Sequence, residues 1–259
     1  MELTIDAPPA LAATARQVSA FDLQRLERSL IEAGLDLPSR VQIQLIPEGD
    51  PRARGMPSWI VGQAFGTQQI AIFPARISSY PYDSLESVVR HEIVHLALSA
   101  RAGGASLPRW FHEGVAESVG TGWGFTPQLR LLWATAQNPA LSEVTKLFES
   151  ESQPGTARAY LLAVALIEDI RQRHGQDVPG GIAARAAQGV PFERAFEMEV
   201  GETVGSATAR AWASYQGLSS WLPLLTSAQV LWTAILVLAF VALIVRLRRR
   251  AERRRLWDE

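Results

Sequence analysis

Apolar residues recur at helical spacing through Phe21–Ala33. Phe21, Leu23, Leu26, Leu30 and Ile31 make one stripe and Gly34 closes the segment, which predicts an amphipathic helix. The next apolar stretch, VQIQLI at Val41–Ile46, alternates with polar residues and so has the period of a strand. A turn-rich segment, Pro47–Pro57, leads to two more short strands, Trp59–Phe65 and Gln69–Phe73, on either side of Gly66. Beyond Asp83 the period is helical, with Gly and Pro breaks near residues 103, 120, 154, 175, 180, 190 and 201. Helices are expected over 156–173, 181–188, 191–199 and 202–216, while residues 1–19 read as a loose lead. The pattern is that of an α+β chain: a small N-terminal sheet with a helix, then a mostly helical half.

A different pattern closes the chain. No Asp, Glu, Lys or Arg occurs between Ala211 and Val245, and 222–245 is apolar enough and long enough to predict one transmembrane helix. Trp221 and Trp232 suit an interfacial belt. Residues 246–259 follow with seven Arg, and basic residues beside a span stay on the cytoplasmic side. The expected organisation is therefore a lead (1–19), a catalytic domain (20–217) outside the cytoplasm, a span (222–245) embedded in a lipid bilayer, and a basic cytoplasmic tail (246–259). Such a single-pass topology requires export. Residues 1–20 lack the basic and apolar regions of a signal peptide, so a removed signal is expected.

Composition narrows the function classes. With 47% hydrophobic and 20% charged residues, the chain can build a core. The net charge of −1 argues against a nucleic-acid partner, more so because the basic residues are concentrated in the tail. Setting residues 246–259 aside leaves 18 basic and 23 acidic side chains, a net charge of −5. The absence of Cys excludes disulfides, thiol nucleophiles, iron–sulfur clusters and Cys-ligated zinc.

The chemistry is concentrated in two segments. Residues 91–95 read HEIVH, on a helix predicted to start near Asp83 from Pro81 and the capping-box spacing of Asp83 and Glu86. Four residues turn a helix by about 400°, so His91 and His95 share a face one turn apart, as two imidazole ligands of one Zn²⁺ require. Glu92, at the edge of that face, is placed to take a proton from metal-bound water. Downstream, LPRWFHEGVAESV begins a second helix at Pro108, and Glu113 and Glu117 share its face among apolar neighbours. Two carboxylates there need a cation nearby. Glu113 completes a His₂Glu ligand set for one zinc per chain, with water in the fourth position. Glu117, one turn on, can hold the far ring nitrogen of a ligand imidazole. The glycines of Ala102–Ala105 supply the turn between the helices, and His112 points elsewhere.

HEIVH followed by LPRWFHEGVAES resembles the gluzincin branch of zinc metallopeptidases, the peptidase MA-like domains with HExxH and then a WFxEGxAE block. The resemblance covers about residues 20–217 and implies a zincin-like fold. It implies His91, His95 and Glu113 as ligands, Glu92 as general base and Glu117 as the acidic residue behind them. It also implies a Tyr or His from the helical half that stabilises the oxyanion; Tyr160 is preferred over His174. Seventeen residues separate His95 from Glu113, one fewer than in the aminopeptidase branch, and no GAMEN-type exopeptidase motif occurs. The expectation is a zinc-dependent hydrolase of peptide bonds, more endopeptidase than aminopeptidase, acting on a peptide or protein substrate. Zincins hold substrate along an edge strand, and Gln69–Phe73 is the strand nearest in sequence to the active-site helix; an ordinary interior strand is the other reading. Tyr80 and Tyr82 read as packing or rim residues. Two further readings stay open: a catalytically silent zincin-like domain acting as a membrane-tethered binding or assembly module, and an assembly protein with a structural metal.

Overall fold

The computed structural model describes residues 1–77, 84–120, 141–149, 153–219 and 236. The chain divides into two compact units, Met1–Ala213 and Ser214–Glu259, and the first contains every element discussed below except the end of the last helix.

Four strands form one sheet: β1 (Glu2–Asp6), β2 (Arg40–Leu45), β3 (Gly62–Phe65) and β4 (Gln69–Ile72), in the order β1-β2-β4-β3. β1, β2 and β4 run parallel, and β3 is antiparallel to β4. The alternation in β2 buries Val41, Ile43 and Leu45. The register places Ile5, Ile43, Ile70 and Ala64 in one row and Leu45, Ile72 and Gly62 in the next. One face of the sheet thus becomes a continuous apolar surface. The opposite face carries a smaller cluster of Ile46, Ala53, Ala71 and Phe73.

Residues 1–19 are not a loose lead. They form β1 and, after a short turn, helix α1 (Ala12–Ser19). β1 alternates polar and apolar residues over ELTID, with Leu3 and Ile5 half-buried, and it pairs along its whole length with β2. The predicted amphipathic helix is α2 (Gln24–Glu32), with Leu26 and Leu30 buried, and α3 (Pro51–Arg54) is a single turn after β2.

Two helices lie at the centre. α4 (Leu85–Arg101) packs on β3 and β4 and, on its other side, against α5 (Arg109–Gly120). Its start is set by Ser84 and Ser87, whose side chains and backbone amides form a reciprocal capping box at 3.1 and 3.3 Å. This box replaces the Asp83 and Glu86 pair expected from spacing. Nine of its residues, His91 and Glu92 among them, are buried. Gly103 and Gly104, at φ +59° and +82°, reverse the chain into α5.

The remaining helices are α6 (Leu141–Glu149), α7 (Gln153–His174), α8 (Val178–Ala187), α9 (Phe192–Val200) and α10 (Val204–Ser219). α5 packs on α7 so closely that a Cβ at Gly114 would lie 2.7 Å from the Ala163 carbonyl oxygen. Behind that contact Ser118 donates to Glu168 Oε1 at 2.6 Å and accepts from Arg171, so the buried charges, paired within α7, are tied to α5 through a hydroxyl.

The architecture is α+β, with one correction. Among the described residues no helix is long and apolar enough to cross a membrane. The expected transmembrane helix therefore drops out of the fold. The lipid-bilayer partner and the single-pass membrane placement with an extracytoplasmic domain rested on it and are not sustained. The segment 222–245 apart from Leu236, Trp221, the basic tail 246–259, Tyr80, Tyr82 and Asp83 lie outside the described residues.

Candidate metal centre

Helical spacing on α4 and α5, together with the turn between them, brings three side chains to one point. His91 Nε2 lies 3.1 Å from His95 Nε2 and 3.3 Å from Glu113 Oε2, and His95 Nε2 lies 3.5 Å from the same oxygen. These potential ligand atoms all fall within 4.8 Å of one another. Glu113 Oε2 is buried with no hydrogen-bond partner among the described residues. A buried carboxylate oxygen facing two imidazole nitrogens is a donor set that fits a divalent cation, and His₂Glu chemistry favours zinc. Glu117 Oε2 sits 3.5 Å from His91 Nδ1, on the other side of the ring.

Electrostatics follow from burial and these pairings. Burial penalises a charged His91, but the Glu113 and Glu117 carboxylates outweigh it and push the imidazole up to about 10. Burial alone would favour a neutral Glu113; the imidazoles of His91 and His95 that face it instead hold its carboxyl well below the usual range. Glu92 is 3% exposed, and burial pushes its carboxyl above the usual range against the pull of the two histidines. The β3 backbone at Ala64 lies near enough to pull the carboxyl the other way. Gly62 permits this close approach, because a Cβ there would lie 2.7 Å from Glu92 Oε1.

The site opens into a cleft of about 450 Å³. Trp59–Ala64 forms one wall, with His91, Glu92, His95, Arg109, His112, Glu113 and Tyr160 among the other lining residues. The Tyr160 ring stands 6.2 Å from that of His91, centroid to centroid. His174 is remote: it lies fourteen residues along α7 from Tyr160, about 21 Å at helical rise, and faces Glu202 at 3.9 Å.

Sequence reasoning missed parts of the site. β4 is interior, between β2 and β3, so the wall over α4 is β3 and Gln69–Phe73 is not an edge strand. Which of two neighbouring strands lies outermost is a non-local fact that no local period encodes. His112 does not point away: its ring is 5.6 Å from that of His95, and burial, reinforced by His95, pushes its imidazole down to about 4. Adjacent helical positions are about 100° apart, which leaves both His112 and Glu113 on the rim of a wide cleft. Arg109 was also missed, although its position four residues before Glu113 places both on one face.

Comparison with protein-family models, with curated proteins and with solved structures finds no match to this chain.

Proposed function

We propose that this protein is a zinc-dependent hydrolase of peptide bonds, of the gluzincin type that its two motifs resemble. The observation that carries the reading is the convergence of His91, His95 and Glu113 beside a buried carboxylate, Glu92, at the foot of an open cleft.

His91, His95 and Glu113 would hold the metal, which when bound supplies a Lewis acid for the carbonyl oxygen and acidifies a water molecule. Glu92 takes that water's proton on its carboxylate and returns it to the leaving amine nitrogen. The burial of Glu92 supports this role: raising its basicity brings the proton acceptor nearer to neutral pH, and a silent binding domain has no use for a buried carboxylate beside the ligands. Glu117 holds His91 through Nδ1, fixing the ring and its tautomer. Tyr160, which lines the cleft beside His91, donates its hydroxyl to the developing oxyanion in this reading. β3 pairs only with β4 in the described sheet, so its outer edge can accept an extended peptide as an added strand. A peptide bound along a strand presents internal bonds, which favours endopeptidase over aminopeptidase action.

The test is metal content by elemental mass spectrometry, coupled to hydrolysis of a quenched-fluorescent peptide library, with Glu92→Gln as control. The expected result is about one zinc per chain in both proteins and cleavage in the parent alone. A parent protein without zinc after reconstitution overturns the metal site. A Glu92→Gln variant that cleaves as fast as the parent removes Glu92 from the chemistry.

A further inference from the structure

Arg109 is the first residue of α5, one turn before Glu113. Its Nε lies 3.6 Å from Glu113 Oε1. That is the outer oxygen of the carboxylate; both imidazole nitrogens face Oε2. The guanidinium is fixed twice more. Nη1 donates to the Phe148 carbonyl at 3.0 Å, and Cζ lies 5.2 Å from the centroid of the Phe148 ring. Phe148 meets Tyr160 edge to face at 5.3 Å, and Tyr160 faces His91. A chain of contacts thus runs from the outer oxygen of Glu113 through α6 and back to the first histidine.

An ion pair at four-residue helical spacing, with an arginine side chain 42% exposed, adds little to stability. Its geometry serves another end. A carboxylate that presents one oxygen to a cation must be stopped from rotating, and the fork of an arginine can grip the other oxygen while its far end is anchored. We propose that Arg109 is a positioning residue. It holds Glu113 by Oε1 so that Oε2 faces His91 and His95, and it ties that orientation to α6 through Phe148. The proposal rests on the metal reading above and deepens it.

The experiment is zinc competition titration on the full chain as parent, R109A, R109K and F148A, with cobalt absorption spectra of each. It is accompanied by a double-mutant cycle of R109A and E113Q, measured by urea unfolding of the metal-free proteins. R109A is expected to weaken zinc about 10- to 100-fold, the usual effect of losing a group that orients a ligand, and to alter the cobalt spectrum. R109K restores the charge without the fork and recovers part of the affinity; F148A gives a smaller loss than R109A. A merely structural arginine changes the melting of the protein but neither the affinity nor the spectrum. A parent that binds zinc and an R109A variant that binds it equally well overturn the proposal and leave the metal site standing. A parent that binds no zinc removes the metal reading, and the cycle then decides. Additive effects overturn the grip on Glu113, and a non-additive pair, coupled at least about threefold, supports it.

Discussion

Glycine at position 62 is the point where the sheet and Glu92 press on each other, and Gly62→Ala tests the arrangement. A Cβ at this position would lie 2.7 Å from Glu92 Oε1, 2.9 Å from Val88 Cγ1 and 3.0 Å from Glu92 Cγ, where ordinary contact begins near 3.4 Å. To recover that contact the carboxylate must retreat by about 0.7 Å. Val88 cannot take up the strain, because a β-branched side chain in a helix has one favoured rotamer. Either Glu92 leaves its place or β3 lifts from α4. A displacement approaching 1 Å at a reacting group costs up to about 10²-fold in rate, and overpacking costs about 1–3 kcal/mol in stability. The three ligand side chains are untouched. The expected variant therefore keeps its zinc, loses kcat by about 10²-fold, and melts a few degrees lower. The measurements are steady-state kinetics at matched zinc content and thermal melting. Gly55→Ala is the control, since nothing lies within 4 Å of a Cβ there. An unchanged melting temperature with kcat within twofold of the parent refutes the close approach. Loss of zinc together with kcat refutes the separation of acceptor from ligands.

Three other outcomes follow from the same geometry. Glu113→Ala lowers zinc affinity by at least about 10²-fold in competition titration while Glu92→Gln does not, and equal retention in both removes Glu113 from the ligand set. Tyr160→Phe keeps zinc and lowers kcat by about 10²-fold with little change in KM, and an unaltered kcat reduces Tyr160 to a packing residue. His91, raised to about 10, stabilises the metal-free fold fully below the ordinary histidine value of 6.5, and that contribution is lost as pH climbs through about 10. The melting temperature of metal-free protein should accordingly fall between pH 7 and pH 10.5, and zinc binding at pH 7 should release a proton, seen as a buffer-dependent enthalpy; a flat melting profile with no proton release contradicts the pairing.

The central helix pair was legible because both of its signals are local. His91, His95, Glu113 and Glu117 were placed by a period of 3.6, and the turn at Gly103 and Gly104 folds one face onto the other. β2 was legible because its alternation buries one face against helices. What was not legible depends on partners distant in sequence. β1 does alternate, but Leu3 and Ile5 are only two half-buried apolar positions in five, too few to read alone, and pairing with β2 completes the strand. The exchange of roles between β3 and β4 has the same origin. The helix start fell to Ser84 and Ser87 because a short hydroxyl at each position satisfies the other's amide. The apolar run 222–245 satisfied a composition rule for a span; among the described residues no helix meets the length and hydropathy that crossing requires.

The reversed direction of β3 also governs local stability. β3 is joined to β4 by a tight turn at Gly66, φ +59°, and has four residues and, among the described residues, one neighbour, whereas β4 is held on both sides. Hairpin edges of this kind open as small cooperative units without unfolding the sheet behind them. The Ala64 amide is the reporter, because it belongs to β3 and its backbone acts on the Glu92 carboxylate. Its deuterium exchange should be faster than that of the amides of β4, and each opening lets water reach the Glu92 carboxylate. The burial that raises the basicity of that group is therefore only as persistent as the pairing of four residues.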